Sequence, residues 1–402
     1  MSRDGALGVP FARWAASAFA AFTLILLAVT PSRAEQPFST SVPSAILIDA
    51  DSGAVLFEKN ADTPEIPAST AKIMTLELIF EALGSGHLKL TDTLNVSENA
   101  WRTGGAMARG STMFAALHSN ISVEDLIRGI AIVSANDASI VLAEGTADSE
   151  GAFATRMTER AHELGLTHST FTNPWGQDDP DQRTTARDMA TLATYMIKNY
   201  PQYYHYFAEK DFTWNKIKQP NRNPLLEMDL GADGLKTGNI GDSGYGIVAS
   251  AVQNGQRLVL AIYAAKSAKE RETEAARIFQ WGFRSFEAKT LFKAGEVIGY
   301  ADVFGGSTGY VPLVSDKPVR LLIPRESDEK LHGQIVYTGP LVAPVASGRE
   351  IAQLRVFRGA SQILDTPLKT AANVGVGSLS RRAMNAGIEY TEEMFRKYVL
   401  KK

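Results

Sequence analysis

Pro67-Ala68-Ser69-Thr70-Ala71-Lys72-Ile73-Met74-Thr75-Leu76-Glu77 is the stretch from which the rest of the chain can be read. From Lys72 to Leu83, Ile, Met, Leu and Phe fall on most faces of a helix. That pattern predicts a buried helix, where a surface helix shows one apolar stripe. Pro67 and Ser69 suit a helix start. Ser69 and Lys72 stand three apart and share a face. A serine hydroxyl is a poor nucleophile until a base takes its proton. Lys72 is such a base once neutral, and burial and the positive end of a helix dipole both disfavour its ammonium form. By itself Ser-x-x-Lys is also a common accident of sequence.

Composition narrows the field. The chain has 402 residues, 45% of them hydrophobic, which is enough for two globular domains. Its net charge of −3 and the lack of a strongly basic block argue against a nucleic-acid partner. With no cysteine, disulfides, thiolate catalysis and a lipid-attachment cysteine are excluded. The six histidines are scattered and none makes a His-Glu-x-x-His pattern, so no metal site is expected. No Gly-x-Ser-x-Gly elbow marks a triad nucleophile.

Residues 1–34 read as an export signal. Arg3 and Arg13 precede the apolar run Trp14 to Val29, and Ser32-Arg33-Ala34 suits a small-x-small cleavage site. Ser44 to Ala50 and Ala54 to Glu58 then alternate around Asp51-Ser52-Gly53 as a β-hairpin. After the Ser69 helix, residues 87–122 look like long polar surface loops roofing a site. Ser122 with Asp125 starts a helix that stops at Ser134-Ala135-Asn136-Asp137, and a second runs from about Ala138 to Gly145. Helices are also expected over Phe153 to Gly165, from Thr185 to Asn199, and over Arg271 to Phe286. Gly234 to Gly238 leads into a strand at Tyr245 to Val252, and Asn254-Gly255 turns it into Leu258 to Ala265. Strands at both ends with helices between suggest one sheet that joins both ends of an α/β unit.

Beyond Leu291, Val297–Phe304, Val319–Ile323, Gln334–Thr338, Ile351–Phe357 and Gln362–Leu364 read as short strands of an all-β domain. Helical spacing returns from Ser378 to Lys402. Met384, Ile388, Phe395 and Tyr398 fall near one face, beside Arg381, Arg382, Arg396, Lys397, Lys401 and Lys402. A basic amphipathic end segment is expected to lie on an anionic membrane surface or to form a solvated or self-associating helix.

Three short motifs stand in order: Ser69-x-x-Lys72, Ser134-x-Asn136 and Lys236-Thr237-Gly238. The trio at a helix start, an inter-helix turn and a strand is shared by class A β-lactamases and penicillin-binding proteins. The chain resembles the low-molecular-mass penicillin-binding proteins, serine-type D-alanyl-D-alanine carboxypeptidases. Asn221-Arg222-Asn223 with Leu225-Leu226, Thr185-Ala186-Arg187-Asp188-Met189-Ala190, Gly244-Tyr245 with Val248-Ala249-Ser250-Ala251, Trp281-Gly282-Phe283-Arg284 and Gly339 to Val345 carry the likeness further.

The resemblance implies a penicillin-binding or β-lactamase-like α/β (α+β) catalytic domain, with an antiparallel sheet and a helical subdomain. A small all-β domain and a terminal amphipathic helix would follow. The domain limits expected are 1–34, 35–290, 291–377 and 378–402. It implies removal of the terminal D-alanine from peptidoglycan pentapeptides through an acyl-enzyme, without a cofactor. The expected partners are peptidoglycan stem peptides, β-lactam antibiotics and, through the C-terminal helix, the inner-membrane surface from the periplasmic side. Endopeptidase or β-lactamase activity is the alternative, although no Glu-x-x-x-Asn between 137 and 235 suits a deacylating Glu.

In the implied roles Ser69 attacks, Lys72 takes its proton, Ser134 relays it and Asn136 holds Lys72 and the substrate amide. Lys236 keeps the field positive, Thr237 meets the terminal carboxylate, and Gly238 lets the ligand approach the strand. The N–H groups of Ser69 and Asn239 form the oxyanion hole. Arg222 is either a carboxylate anchor or a structural ion-pair partner. Asp188 either caps its helix or orients Arg222. Asn239-Ile240-Gly241 and Trp175-Gly176-Gln177 depart from the family pattern, which bears on substrate preference.

Overall fold

The computed structural model describes residues 38–325 and 330–383. The chain divides into two units, Met1–Ser39 and Thr40–Lys402, and every helix and strand described belongs to the second. The expected export segment and residues 384–402 of the expected terminal helix lie outside the described residues; residues 379–383 are helical.

Strands β1 (Ser44–Asp49) and β2 (Val55–Lys59) form the expected hairpin. Helix α1 (Lys72–Gly84) follows a 3₁₀ turn at Ala68–Ala71 and is buried from Lys72 through Phe80. Helices α2 (Val123–Val133), α3 (Asn136–Thr146), α4 (Glu150–Glu163) and α5 (Ala186–Asn199) pack around it. Strands β3 (Ala232–Ile240), β4 (Gly244–Gln253) and β5 (Gln256–Ala265) then meander back, and α6 (Ala268–Ser285) closes the unit. The sheet order is β2-β1-β5-β4-β3, all antiparallel. Chain ends meet in this sheet as the sequence predicts, with Ser44 opposite Tyr263.

Alternation along the strands separates two faces. Ile46, Ile48, Val259 and Ala261 join the helical core around α1. Leu47 and Leu258 face the other way, against Gly282 of α6, where a Cβ would meet both leucines within 2.8 Å. The sheet is therefore covered on both sides, which explains why all of β1 is buried. Helix starts are set by local chemistry: the side chains of Ser122, Ser149, Thr185 and Ser267 each accept a hydrogen bond from the backbone N–H three residues on.

Two stretches differ from expectation. Residues 87–122 are not all surface, because Val96, Ala100, Met113 and Ala115 are buried. The buried carboxylate of Asp137 supplies what the loop lacks, accepting from Thr112 Oγ1 at 2.6 Å, Met113 N at 3.1 Å and Ala115 N at 3.0 Å. A hairpin pairs Asp211–Trp214 with Ile217–Pro220, unseen in the sequence, where Pro220 masks a strand.

The C-terminal part is all β. Phe286–Phe292 pairs with Val319–Pro324, so α6 stops one residue before the expected end and a strand begins at once. Val297–Phe304 forms as predicted, whereas Tyr310–Val314 was hidden by Pro312. Ser361–Thr370 runs well past the predicted Leu364, carrying Pro367 within it. Val303, Leu313, Leu321, Leu354 and Leu368 are the core of this part.

Candidate active site

The turn before α1 is shaped by its own polar groups. Ala68 takes a positive φ of 49°, and Thr70 Oγ1 bonds Pro67 O at 2.5 Å and meets Tyr263 Oη at 2.7 Å. This fixes Ser69 at the mouth of a polar cavity of about 760 Å³. Ser134, Asn136, Arg222, Thr237, Gly238 and Asn239 line the same cavity. Lys72 and Lys236 lie buried, at 0% and 1% exposure. All nine residues expected from the sequence therefore converge.

Lys72 Nζ stands 3.0 Å from Ser69 Oγ, 2.9 Å from Asn136 Oδ1 and 2.5 Å from the carbonyl oxygen of Trp175. The last two oxygens only accept. A neutral amine has two N–H groups and one lone pair. In that neutral form, with both N–H groups committed to Asn136 and Trp175, the lone pair is the group left for the Ser69 hydroxyl. Burial, then the charge of Lys236, hold the Lys72 pKa well below the ordinary lysine value, against a smaller opposing effect of Asp137. The Lys236 pKa is lowered to about 7, chiefly by burial, then by Arg222 and Arg271.

Ser134 ends α2 in the left-handed region at φ 65°, a costly conformation for a residue with a Cβ. Its buried hydroxyl has no hydrogen-bond partner among the described residues, so it is free to receive or pass on a proton. Asn136 opens α3 and its N–H donates to Ser111 O at 2.8 Å.

Gly238 also has a packing basis that the sequence did not indicate. A Cβ there would come within 2.9 Å of Pro67 O and 3.1 Å of Ala68 Cβ. The crowding comes from the turn that carries Ser69, and it lets β3 pack directly against that turn. For Arg222 the ion-pair alternative falls away: it is exposed in the cavity and has no carboxylate partner among the described residues. Thr185 is the cap of α5, accepting from Asp188 N–H at 3.0 Å, and the Asp188 carboxylate takes neither expected role: it accepts from His168 N at 3.0 Å and Ser169 Oγ at 2.7 Å, so it holds the loop before the helix and does not orient Arg222.

Three contributors were missed. Trp175 holds Lys72 through its carbonyl, a contact no side-chain motif reveals. Gly176 was the available signal, since at φ +83° a Cβ there would sit 1.9 Å from Ala68 O. Arg271, on the first turn of α6, lines the cavity, lies 5.8 Å over the Tyr245 ring, and has an Nε without a partner among the described residues. Arg109, left-handed at φ 57°, lines the same cavity as Asn136.

A helical subdomain against an antiparallel sheet, with a serine, two buried lysines and a second serine at their junction, defines the serine penicillin-binding class. The profile of D-alanyl-D-alanine carboxypeptidases matches residues 30–267, and that of the penicillin-binding protein 5 C-terminal domain matches residues 286–376. The chain is 39% identical to the D-alanyl-D-alanine carboxypeptidase DacC of Escherichia coli, covering 89% of this chain and 91% of that protein. It is 34% identical to the D-alanyl-D-alanine carboxypeptidase DacA of Haemophilus influenzae, covering 89% and 93%. The crystal structure of penicillin-binding protein 5 from Haemophilus influenzae superposes with a TM-score of 0.75 at 35% identity, over 84% of this chain and 99% of that one. The chain belongs to the D-alanyl-D-alanine carboxypeptidase family.

Proposed function

We propose that this chain is a serine D-Ala-D-Ala carboxypeptidase that releases the terminal D-alanine of peptidoglycan stem peptides and is acylated by β-lactams. The observation that carries the reading is Lys72, fully buried with its Nζ 3.0 Å from Ser69 Oγ. Ser69 Oγ attacks the carbonyl carbon between the two D-alanines as its proton passes to Lys72 Nζ. The N–H groups of Ser69 and Asn239 receive the oxyanion. The C–N bond then breaks, and the proton returns through Ser134 to the leaving amine, giving free D-alanine and an ester on Ser69. Water, activated by the same lysine, hydrolyses the ester. Thr237 and Arg222 hold the terminal carboxylate, with Lys236 and Arg271 making the field positive, while Asn136 holds the substrate amide.

The deacylating glutamate of class A β-lactamases has no counterpart in the cavity lining, where the acidic residue is Asp178. We further propose export through residues 1–34, a catalytic domain over 35–290, a β domain over 291–377, and attachment of 378–402 to the outer face of the cytoplasmic membrane. Among the described residues no helix is long and apolar enough to cross a membrane. The test of the reaction is mass spectrometry on a pentapeptide ending in D-Ala-D-Ala: loss of one alanine supports it, and an unchanged peptide refutes it.

A further inference from the structure

The cavity holds more positive charge than one terminal carboxylate requires. Arg222 and Arg271 act on Lys236, at the end where the leaving D-alanine is placed. Arg109 lines the same cavity, next in sequence to Gly110. Ser111 O accepts from the Asn136 backbone, and Gly110 is so close that a Cβ would come within 2.8 Å of Asn136 Nδ2. Arg109 is thus tied to the residue that holds the acyl side of the substrate. Its left-handed φ of 57° is a conformation kept at a cost, with its N–H donating to Ala106 O at 3.2 Å. It is exposed, and it forms no ion pair with Asp178 or any other acid among the described residues. An unpaired guanidinium on a fixed turn beside the acyl subsite suits a second carboxylate.

We infer that Arg109 is a specificity-determining residue that receives a free carboxylate on the side chain of the residue preceding the two D-alanines. This rests on the carboxypeptidase reading above. The chemistry selected is a diamino acid whose distal carbon carries a carboxylate as well as an amine, over a side chain ending in the amine alone. Both side chains have nearly the same reach and share the ammonium, so the difference between them isolates the anion.

The experiment compares two peptides of the form acyl-X-D-Ala-D-Ala, with X as lysine or as 2,6-diaminopimelate. D-alanine release gives kcat/KM for each, and the quantity read is their ratio within one protein. A general loss of activity cancels from that ratio. Hydrolysis of the lysine peptide by the unaltered protein tests the carboxypeptidase reading separately. A charge-assisted contact at a partly exposed site predicts a ratio of about tenfold in favour of diaminopimelate. Arg109→Gln brings the ratio close to one, and Arg109→Glu turns it in favour of lysine. A ratio near one in the unaltered protein overturns the inference, as does a preference that survives in both variants.

Discussion

Lys72 concentrates the argument at the scale of single residues. With neutral Lys72 as the proposed base, acylation falls as pH drops through its pKa and the amine gains a proton. That pKa lies below the ordinary lysine value, which carries the acid limb of the profile toward lower pH. Lys236 is the second cause of the depression. Replacing Lys236 by Gln removes a positive neighbour, so the Lys72 pKa rises and the acid limb moves to higher pH, whatever happens to the absolute rate. A pH series of kcat/KM for benzylpenicillin acylation reads the limb directly. Lys72→Arg is nearly as damaging as Ser69→Ala, because a guanidinium keeps its proton at every usable pH. Intact-mass measurement after penicillin treatment checks both: Ser69→Ala carries no adduct, and near-normal acylation of Lys72→Arg would move the base elsewhere. Ser69, Lys72 and Lys236 were legible in the sequence because their chemistry is in the side chains. The Trp175 carbonyl was not, because every residue has one and only the path of the loop brings it to Lys72.

Elements decide whether that residue chemistry is held in place. The loop from Asn173 to Gln177 folds over the Ser69 turn, with Asn173 Oδ1 accepting from Gly176 N and Gln177 N at 2.8 Å. Gly176→Ala combines an unfavourable φ with a clash on Ala68, so the loop must lift and release Lys72. Acylation by penicillin should slow at least tenfold while far-UV circular dichroism stays unchanged; a rate within twofold of normal would show that the loop does not hold the base. Helix α1 carries another constraint. Glu77 is fully buried and meets Arg160 of α4 at 3.1 Å, with its second oxygen unpartnered. Removing the cation strands a charge, so Arg160→Ala should cost about 3 kcal/mol in a denaturant titration, whereas the double change of Glu77 and Arg160 to Met costs less. The burial of α1 was readable from its all-round apolar pattern. The hairpin at 211–220, the strand at 310–314 and the extension of the last strand from Leu364 to Thr370 were not, because Pro220, Pro312 and Pro367 stand where an edge or a register irregularity admits them.

For the whole molecule, placement relative to a membrane depends on the end segment. Deleting residues 378–402 should abolish flotation of the mature protein with anionic vesicles and leave D-alanine release unchanged. Each basic residue near anionic lipid contributes on the order of 1 kcal/mol, so neutral vesicles should float the intact protein less. Equal flotation of both forms would assign attachment to another part. The sheet order has a kinetic side as well. Strand β1 finds its second partner, β5, only when Tyr263 arrives opposite Ser44, and Ser69 meets the wall at Gly238 only when β3 is in place. Joining such distant segments is slow, because loop closure must precede the contacts that reward it. A chain delivered from its N-terminus therefore emerges without a working catalytic centre and acquires one late, after β5 has been delivered. Until then the buried lysines are hydrated and charged, and the nascent protein is inert toward both wall peptides and penicillin.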